Sequence, residues 1–414
     1  MELAWKPNSG PLCRSRMPRS RSFEQEAEPK LRSLDGFAGD KLAALEHAQL
    51  RRLPVVTTRT GIWAERGGRR LLSFSCNDYL NFSQHPKIVA AAIDAIKRYG
   101  VGAGASRLVT GNHPLYEELE TRLAQLKGSE GACVFGSGYL ANTGIIPAVV
   151  GPDDLILVDE LAHACIHAGA KLSGARVQLY RHCDPSHAAT LLTQHRAGKK
   201  RALIATDGVF SMDGDVAPLA ALSGLARRFD AWLLSDDAHG FGVVGNGRGS
   251  AFVNGSSPVD VPLQAGTLSK AVGAYGGYLC ASQTVIDLMR SRARTLIYST
   301  GLPPAIVAAA IAALELIERD PAYAAEPLRK ARLFTRALDL PEAQSAIVPV
   351  IVGDAADALA ASDTLRDHGF LVIAIRPPTV PAGTARLRFA FTAQHDDRDI
   401  ARLAEIVRQQ VLRR

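Results

Sequence analysis

The sequence predicts an α/β fold: a large domain with a mostly parallel sheet covered by helices, followed by a smaller α+β domain at the C-terminal end. Between about residues 130 and 292, short and continuously apolar runs alternate with amphipathic stretches of helical period. Strands that are buried on both faces of a parallel sheet have this pattern. Beyond residue 305 the alternation changes to a few strands and helices, which indicates a separate, smaller unit.

The individual elements follow from apolar periodicity and from the prolines that open helices. Strands of the large sheet are predicted at 132–135, 155–158, 175–180, 202–206, 232–235, 262–267 and 277–281, and helices at 40–52, 86–99, 114–126, 217–229, 284–292 and 305–319. In the smaller domain, strands are predicted at 347–352, 371–375 and 385–391, and helices at 355–368 and 397–412.

We divide the 414 residues into four parts. Residues 1–38 are predicted to be a basic, disordered extension, and 39–75 an N-terminal helix and strands that pack with the small domain. The large domain spans 76–305 and the small domain 306–414. The extension, rich in Arg, Ser and Pro, also fits an organelle transit peptide or a start codon placed upstream of the true one.

Composition excludes several classes of protein. The chain is 47% hydrophobic and 21% charged, which is ordinary for a globular enzyme, and no apolar stretch has the length of a membrane helix. Much of the net charge of +7 lies in residues 1–22, so the body has no nucleic-acid-binding stripe. The six cysteines are scattered, without a CxxC pair, and we expect a reduced, cytoplasmic setting.

Lys270 is the most informative residue. It stands among small and apolar residues, with glycines on both sides. Burial disfavours an ammonium ion and lowers its pKa, which makes the amine nucleophilic. Such lysines form Schiff bases with carbonyl compounds, including pyridoxal phosphate (PLP). Asp236 ends the apolar run 232–235 and offers a carboxylate to a pyridine nitrogen, although a turn or helix cap would also explain it.

Other segments supply what a PLP site needs. The glycine-rich run 135–144 follows a predicted strand and opens a helix, so its N–H groups could bind a phosphate, although a turn without a ligand is equally compatible. His163 follows the strand at 155–158 and could stack on a ring, and His239 follows Asp236. Ser211 and Thr267 supply hydroxyl groups. Each of these residues, taken alone, also fits an ordinary structural role.

Two competing motifs carry less weight. The segment 240–245 is a formal G-x-G-x-x-G after a strand, but a helix-breaking segment follows where a dinucleotide-binding fold needs a helix. His163 and His167 have the spacing of zinc ligands, but no H-E-x-x-H surrounds them. We therefore predict no metal site.

The segments together resemble the α-oxoamine synthases, a group within the fold-type I PLP-dependent enzymes. The resemblance extends from about residue 40 to the C-terminus and rests on segments 74–80, 208–214, 236–240, 267–270, 297–300 and 375–388. The last segment is similar to that of the members that condense L-alanine with a pimeloyl thioester, carried by coenzyme A or acyl carrier protein. Sister enzymes that join glycine to acetyl- or succinyl-CoA are the alternative. The family often has glycine where Ser269 stands.

The resemblance implies a role for each candidate residue. Lys270 would hold PLP as a Schiff base, Asp236 would pair with the ring nitrogen, His163 would stack on the ring, and Ser211 and His239 would bind its oxygen. The phosphate would be held by Gly138, Tyr139 and Thr267, and by Ser299 and Thr300 of the partner in a homodimer whose site lies at the interface. The substrate would be bound by Asn77, Arg376, Thr379 and an N-terminal arginine, Arg51 or Arg52.

Overall fold

The computed structural model describes residues 33–48, 50–254 and 257–412. The chain forms two units, Met1–Arg52 and Leu53–Arg414. Most of the predicted extension lies outside the described residues. The first unit contains helix α1 (Leu34–His47), which begins inside that extension and ends before the predicted boundary at residue 52. Ser33 sets its start, because the side chain accepts a hydrogen bond from the Gly36 N–H.

The second unit contains fourteen strands among its described residues. They are β1 (Thr58–Thr60), β2 (Trp63–Arg66), β3 (Arg69–Ser73), β4 (Gly131–Phe135), β5 (Leu155–Asp159), β6 (Arg176–Tyr180), β7 (Ala202–Asp207), β8 (Trp232–Asp236), β9 (Leu263–Thr267), β10 (Gly277–Ala281), β11 (Ile347–Gly353), β12 (Phe370–Leu371), β13 (Ile373–Ile375) and β14 (Ala385–Ala390).

Helices lie between most of these strands. In chain order they are α2 (Pro86–Tyr99), α3 (Leu115–Lys127), α4 (Gly138–Val149), α5 (Ala164–Ser173), α6 (Pro185–His195), α7 (Leu219–Arg228), α8 (Gln283–Arg292), α9 (Arg294–Ile297), α10 (Pro304–Arg319), α11 (Pro321–Ala337), α12 (Ala355–Asp367) and α13 (Asp397–Gln410). None of the helices in the described ranges is both long and apolar enough to cross a bilayer.

A seven-stranded sheet forms the centre of the second unit, with the order β4-β10-β9-β8-β7-β5-β6. Its strands are parallel except for β10, which is antiparallel to both of its neighbours. Successive residues of β5 enter different cores: Ile156 and Val158 pack on one face of the sheet, and Leu155 and Leu157 on the other. A strand needs apolar residues at every position when both faces are covered. The predicted fold class is confirmed.

Two smaller sheets complete the second unit. A three-stranded antiparallel sheet has the order β11-β14-β13, and a four-stranded sheet has the order β1-β2-β3-β12. In the latter, β3 pairs in parallel with β12, so that Leu72 lies opposite Phe370. The two residues share a core with apolar residues of α11, α12 and α13. Strand β3, which lies before residue 75, is therefore hydrogen-bonded to a strand from the C-terminal part of the chain.

Candidate active site

The carboxyl ends of the parallel strands border a cavity of about 190 Å³. Open α/β sheets bind their ligands at this edge, because the loops that follow neighbouring strands converge there. The cavity is lined by Ser137, Gly138, Tyr139, His163, Cys165, Asp207, Val209, Asp236, Ala238, His239, Thr267, Ser269 and Lys270. It therefore combines a buried amine, two carboxyl groups, two imidazoles and the start of α4.

Lys270 follows β9 and extends its amine into the cavity. Burial lowers the pKa of this amine to about 8, although the nearby carboxyl groups of Asp236 and Asp207 oppose the shift. About a tenth of the amine is consequently unprotonated at pH 7, far more than for an ordinary lysine. A lowered pKa is what a lysine that forms a Schiff base needs, and this role of Lys270 stays a prediction.

His239 lies beside the lysine and is held from both sides. Its Nε2 is 2.7 Å from Nζ of Lys270, and its Nδ1 is 2.7 Å from Oη of Tyr79. Burial lowers the pKa of His239 well below its ordinary value, and the charges of Lys270 and Arg388 act in the same direction. The imidazole is therefore neutral, with one nitrogen that donates and one that accepts a hydrogen bond.

A buried arginine continues this chain of contacts. Arg388 of β14 donates to Oη of Tyr79 at 3.4 Å and to Oδ1 of Asn77 at 3.2 Å, and its Nε donates to the carbonyl of Ser211. On the same strand, Arg386 contacts Asp213 and the carbonyl of Met212. Both arginines of β14 thus hold the loop that follows β7.

Asp236, the last residue of β8, is buried at the bottom of the cavity. Its Oδ2 accepts a hydrogen bond from the Asn142 amide at 2.6 Å, and its Oδ1 accepts one from the Ala238 N–H at 3.0 Å. The Cys165 thiol lies 3.9 Å from Oδ2. These donors fix the direction of the carboxylate.

Asp207 lies beside Asp236 in the next strand of the sheet, where the two residues are register partners. Burial, reinforced by the charge of Asp236, raises the pKa of Asp207 well above its ordinary value. Burial thus favours the protonated form of Asp207, and its Oδ2 accepts a hydrogen bond from the backbone N–H of His163 at 3.1 Å. The two carboxyl groups have different partners: Asp236 accepts from Asn142 and Ala238, and Asp207 orients the loop that contains His163.

His163 caps helix α5. Its Nδ1 accepts from the Cys165 N–H at 3.3 Å and lies 2.8 Å from the Cys165 sulfur. Burial lowers the pKa of His163 and favours the neutral ring. The imidazole is held at the wall of the cavity through Nδ1, which leaves its flat face available for stacking.

The cavity ends at the N-terminus of α4. Ser137 caps the helix by accepting from the Leu140 N–H, and the other N–H groups of the first turn have no partner within the helix. Glycines let the neighbouring segments approach this end closely: a Cβ at Gly277 would lie 2.3 Å from the carbonyl oxygen of Ser137, and one at Gly138 would lie 3.3 Å from Cβ of Thr267. A helix start in this setting is suited to binding a phosphate.

The cavity brings together most of the cofactor-binding residues that the sequence predicts. Its lining includes Gly138, Tyr139, His163, Asp236, His239, Thr267 and Lys270. The hydroxyl of Thr267 donates to the Gly276 carbonyl at 2.7 Å and lies 2.8 Å from that of Ser269. The roles of these residues stay predictions, but their proximity is a property of the fold.

The other predicted residues lie elsewhere. Ser211, Asn77, Ser299, Thr300, Arg376 and Thr379 are outside the cavity lining. Arg388 contacts two of them, Ser211 and Asn77. Ser299 is half-buried and Thr300 exposed, and Thr300 forms a β-bridge with Ser106. Arg51 belongs to the first unit, where it donates to Glu46 at 2.7 Å. Its predicted substrate contact stays a prediction.

Sequence reasoning missed several residues of the site. Asp207 ends a strand that was predicted, so the rule that sites form at carboxyl ends would have found it. Cys165 was not singled out by the sequence analysis, although it contacts both Asp236 and His163. No local pattern pairs Tyr79 with Arg388, which is 309 residues away in the chain.

A second cluster of polar groups lies behind the loop that contains Ser211. His182 bridges two carboxylates: Nδ1 is 3.0 Å from Asp159, and Nε2 is 2.8 Å from Asp215. Burial opposes its protonation, but these two partners raise the pKa of His182 to about 12. The ligand atoms of Asp159, His182 and Cys183 also lie within 4.8 Å of one another. A protonated imidazole accounts for this arrangement.

Comparison with known proteins assigns the class that the fold and the site define. Residues 69–407 match the aminotransferase class I and II family, and the chain therefore belongs to these PLP-dependent enzymes of fold type I. A serine palmitoyltransferase from S. paucimobilis, solved with a bound PLP–myriocin aldimine, superposes with a TM-score of 0.84 at 27% identity and covers 91% of this chain and 97% of its own.

Within that class, relatives of higher sequence identity identify a particular family. The 8-amino-7-oxononanoate synthase of Methylocella silvestris is 67% identical over 343 residues, which are 83% of this chain and 97% of the relative. The chain belongs to the 8-amino-7-oxononanoate synthase family. A crystal structure of that synthase from Francisella tularensis has a TM-score of 0.70 at 28% identity, with 83% of this chain and 98% of the other covered.

Proposed function

We propose that this chain condenses L-alanine with a pimeloyl thioester to give 8-amino-7-oxononanoate, carbon dioxide and the free thiol carrier. The observation that carries the proposal is the Lys270 amine, with its pKa lowered to about 8, beside His239 at the carboxyl edge of the sheet. The names of the relatives add the substrate class. Sister reactions with glycine would use the same amine, and only a product assay separates them.

The cavity fits PLP. Asp236 offers a fixed carboxylate for the ring nitrogen, His163 a flat face, and the start of α4 a set of N–H donors for the phosphate. The glycine at 277 lets β10 pack closely against the Ser137–Gly138 backbone at the start of α4, and Gly138 itself lines the cavity. When it is bound, PLP acts as an electron sink that stabilises negative charge at the substrate Cα.

The chain's own residues supply the movement of protons. Lys270 is partly unprotonated near neutral pH, so its Nζ can accept the Cα proton of L-alanine and later return a proton to the product. His239 accepts from or donates to the same Nζ at 2.7 Å, which keeps the amine directed into the cavity. Burial of both groups excludes water, which would otherwise protonate the reactive carbon.

The substrate contacts are supported by resemblance. We assign the alanine carboxylate to Arg376, with Thr379 and Asn77 close to the substrate, and the N-terminal contact to Arg51 or Arg52. Arg376 follows β13 directly and is half-buried, and Thr379 is exposed. The thioester carrier is coenzyme A or acyl carrier protein, since both present the same phosphopantetheine group.

We also propose that the enzyme is a cytoplasmic homodimer. Large apolar side chains are exposed around the bridge between Ser106 and Thr300: Val101 is 78% exposed, Val109 73% and Tyr298 72%. A second copy that covers this surface would explain its composition. It would also bring Ser299 and Thr300 to the partner's phosphate site, as the resemblance implies. The five cysteines in the described ranges are free, which fits a reduced compartment.

Product identification tests the proposed reaction. The full chain, loaded with PLP, should convert L-alanine and pimeloyl-CoA, or pimeloyl-acyl carrier protein, to a product with the mass of 8-amino-7-oxononanoate. Lys270→Ala should abolish turnover, while replacement of the exposed Lys171 by alanine should not. Turnover of glycine with acetyl- or succinyl-CoA, but not of alanine with either pimeloyl thioester, would assign the chain to a sister reaction.

A further inference from the structure

We propose that Tyr79 is a positioning residue that sets the tautomer of His239 and, through it, the protonation of Lys270. The inference rests on the proposed function, because it concerns the lysine which that reaction uses. It follows from the donor and acceptor groups along one buried row: Lys270, His239, Tyr79, Asn77 and Arg388.

The first step is the lysine. An ammonium group has donors only, so a protonated Lys270 at 2.7 Å requires Nε2 of His239 to accept. A neutral imidazole that accepts at Nε2 carries its proton on Nδ1. That N–H points at Oη of Tyr79, 2.7 Å away. The protonated lysine is therefore compatible with only one tautomer of His239.

The second step is the phenol. Tyr79 is fully buried and, since burial raises its pKa, it stays neutral. Its oxygen can accept from Nδ1–H of His239 and from Arg388 at 3.4 Å, provided that its own proton goes elsewhere. Oδ1 of Asn77, at 3.3 Å, is the acceptor for that proton. Every donor in the row then has a partner.

The alternative arrangement belongs to the unprotonated lysine. When Lys270 loses a proton to the surrounding water, its amine can accept, and His239 can carry its proton on Nε2. The Tyr79 hydroxyl then turns from Asn77 to donate to Nδ1. Arg388 donates in both arrangements, because a guanidinium has no other option. The rotation of one hydroxyl thus accommodates both charge states of the lysine without an unpaired buried group.

Removal of the Tyr79 phenol oxygen disfavours the protonated state of Lys270. In Tyr79→Phe, Nδ1 of His239 loses its hydrogen-bond partner, and the Arg388 guanidinium, which contacted the lost oxygen, can only donate. Nδ1 would therefore accept, Nε2 would carry the proton, and that N–H would oppose an ammonium at Lys270. We expect the apparent pKa of Lys270 to fall by about one unit, the effect of about one buried hydrogen bond.

Other charges around the lysine do not change in this variant. Asp236 and Asp207 face the amine from β8 and β7, Arg388 faces it from β14, and Cys165 and His163 lie at the wall of the cavity. The charged or neutral state of each is set by contacts that do not include the Tyr79 hydroxyl, except for the single donation by Arg388. A shift in the pKa of Lys270 would therefore report on the tautomer of His239.

The test uses the cofactor-free full chain. Formaldehyde and cyanoborohydride methylate unprotonated lysines, and peptide mass spectrometry would follow labelling at Lys270 from pH 6 to 10. The wild type should have a midpoint near 8, and Tyr79→Phe a midpoint about one unit lower. Tyr323→Phe is the matched control, since that half-buried phenol donates to the Leu80 carbonyl outside the site.

Two further measurements complete the test. Asn77→Ala should lower the labelling midpoint of Lys270 as Tyr79→Phe does, because the Tyr79 hydroxyl has lost its acceptor and then donates to Nδ1 of His239. The alanine variant also provides the test if Tyr79→Phe does not fold. The ¹⁵N shifts of His239, assigned with His239→Gln and recorded at a pH between the two expected midpoints, should show protonated Nδ1 in the wild type, whose lysine is still mostly charged, and protonated Nε2 in both variants. An unchanged or higher midpoint, an equal shift in Tyr323→Phe, or wild-type ¹⁵N shifts in both variants would overturn the inference. Failure of the product assay alone would instead count against the proposed function.

Discussion

Two carboxyl groups that are neighbours in the sheet, Asp236 and Asp207, differ in what each one contacts. Asp236 accepts from Asn142 and from the Ala238 N–H, whereas Asp207 accepts from the His163 N–H. Two buried carboxylates in adjacent strands would repel each other, and burial together with the charge of Asp236 raises the pKa of Asp207 well above its ordinary value. Asp236 is the carboxyl group that faces the proposed ring nitrogen, and Asp207 supports the neighbouring loop.

This difference predicts opposite tolerance to the same substitution. Asp236→Asn should lower kcat by about a hundredfold or more, because the neutral amide cannot keep a ring nitrogen protonated. Asp207→Asn should stay within about threefold of the wild type, since the amide oxygen can still accept from the His163 N–H. Steady-state kinetics of both purified variants measure this. Equal losses of kcat in the two variants would contradict the different roles of Asp236 and Asp207.

Residues of the site were predictable where a local motif carried them. Lys270, Asp236 and His239 stand in short segments whose chemistry is evident from their neighbours. Tyr79 and Arg388 could not be predicted as residues of the site, because their role arises from a contact between two segments that are far apart in the chain. Tertiary contacts of this kind leave no periodic pattern.

At the scale of the elements, His182 connects the segments that follow or end three neighbouring strands at the carboxyl edge of the sheet. Asp159 ends β5, His182 follows β6, and Asp215 lies in the loop after β7. The folded protein therefore binds a proton at His182 far more tightly than the unfolded chain, since the pKa rises from its ordinary value near 6.5 to about 12. This stabilisation is fully present below pH 6.5 and is lost as the pH rises toward 12.

Replacement of His182 should therefore have a pH-dependent effect on stability. The difference in the free energy of unfolding between the wild type and His182→Gln should be largest near pH 6 and should decrease steadily to pH 10. Urea unfolding at several pH values measures it. His368→Gln, at an exposed histidine, provides the control and should show a small difference at every pH. A difference that grows with pH would refute a protonated bridge.

Most elements of the fold were predictable from periodicity, and the misses have physical causes. The ends of α2 and β10 agree with the prediction. The strand expected at 371–375 is two strands, β12 and β13, which belong to different sheets. Helix α11 was missed; it contains Pro327, which argues against a helix in a sequence. The reversed direction of β10 could not be predicted, because a fully buried strand has the same apolar run in either direction.

At the scale of the whole molecule, four exposed apolar residues lie in the chain close to the segments that the resemblance assigns to the partner. Val101, Leu108 and Val109 lie in or beside the segment that bridges to Thr300, and Tyr298 precedes it. A homodimer would remove these side chains from water and complete the phosphate site of each subunit. The first unit, with its exposed helix α1, is independent of this argument.

A charge within this surface should therefore separate the subunits. Val109→Asp should convert the protein to monomers and lower activity at least tenfold, because buried carboxylates without partners are strongly unfavourable. Light scattering after size exclusion gives the mass of the particle. Leu172→Asp on α5 is the matched control, with a side chain of similar exposure at 66%. A dimer that persists in Val109→Asp would place the interface elsewhere.

Strand β14 connects the proposed binding site of the alanine carboxylate with the residues beside Lys270. It is the central strand of the three-stranded sheet, and its arginines hold Asp213, the Ser211 carbonyl and the Tyr79 hydroxyl. Arg376, which we assign to the alanine carboxylate, directly follows the neighbouring strand β13. The proposed carboxylate contact and the arginine that reaches the tyrosine beside His239 are therefore carried by two paired strands of one small sheet.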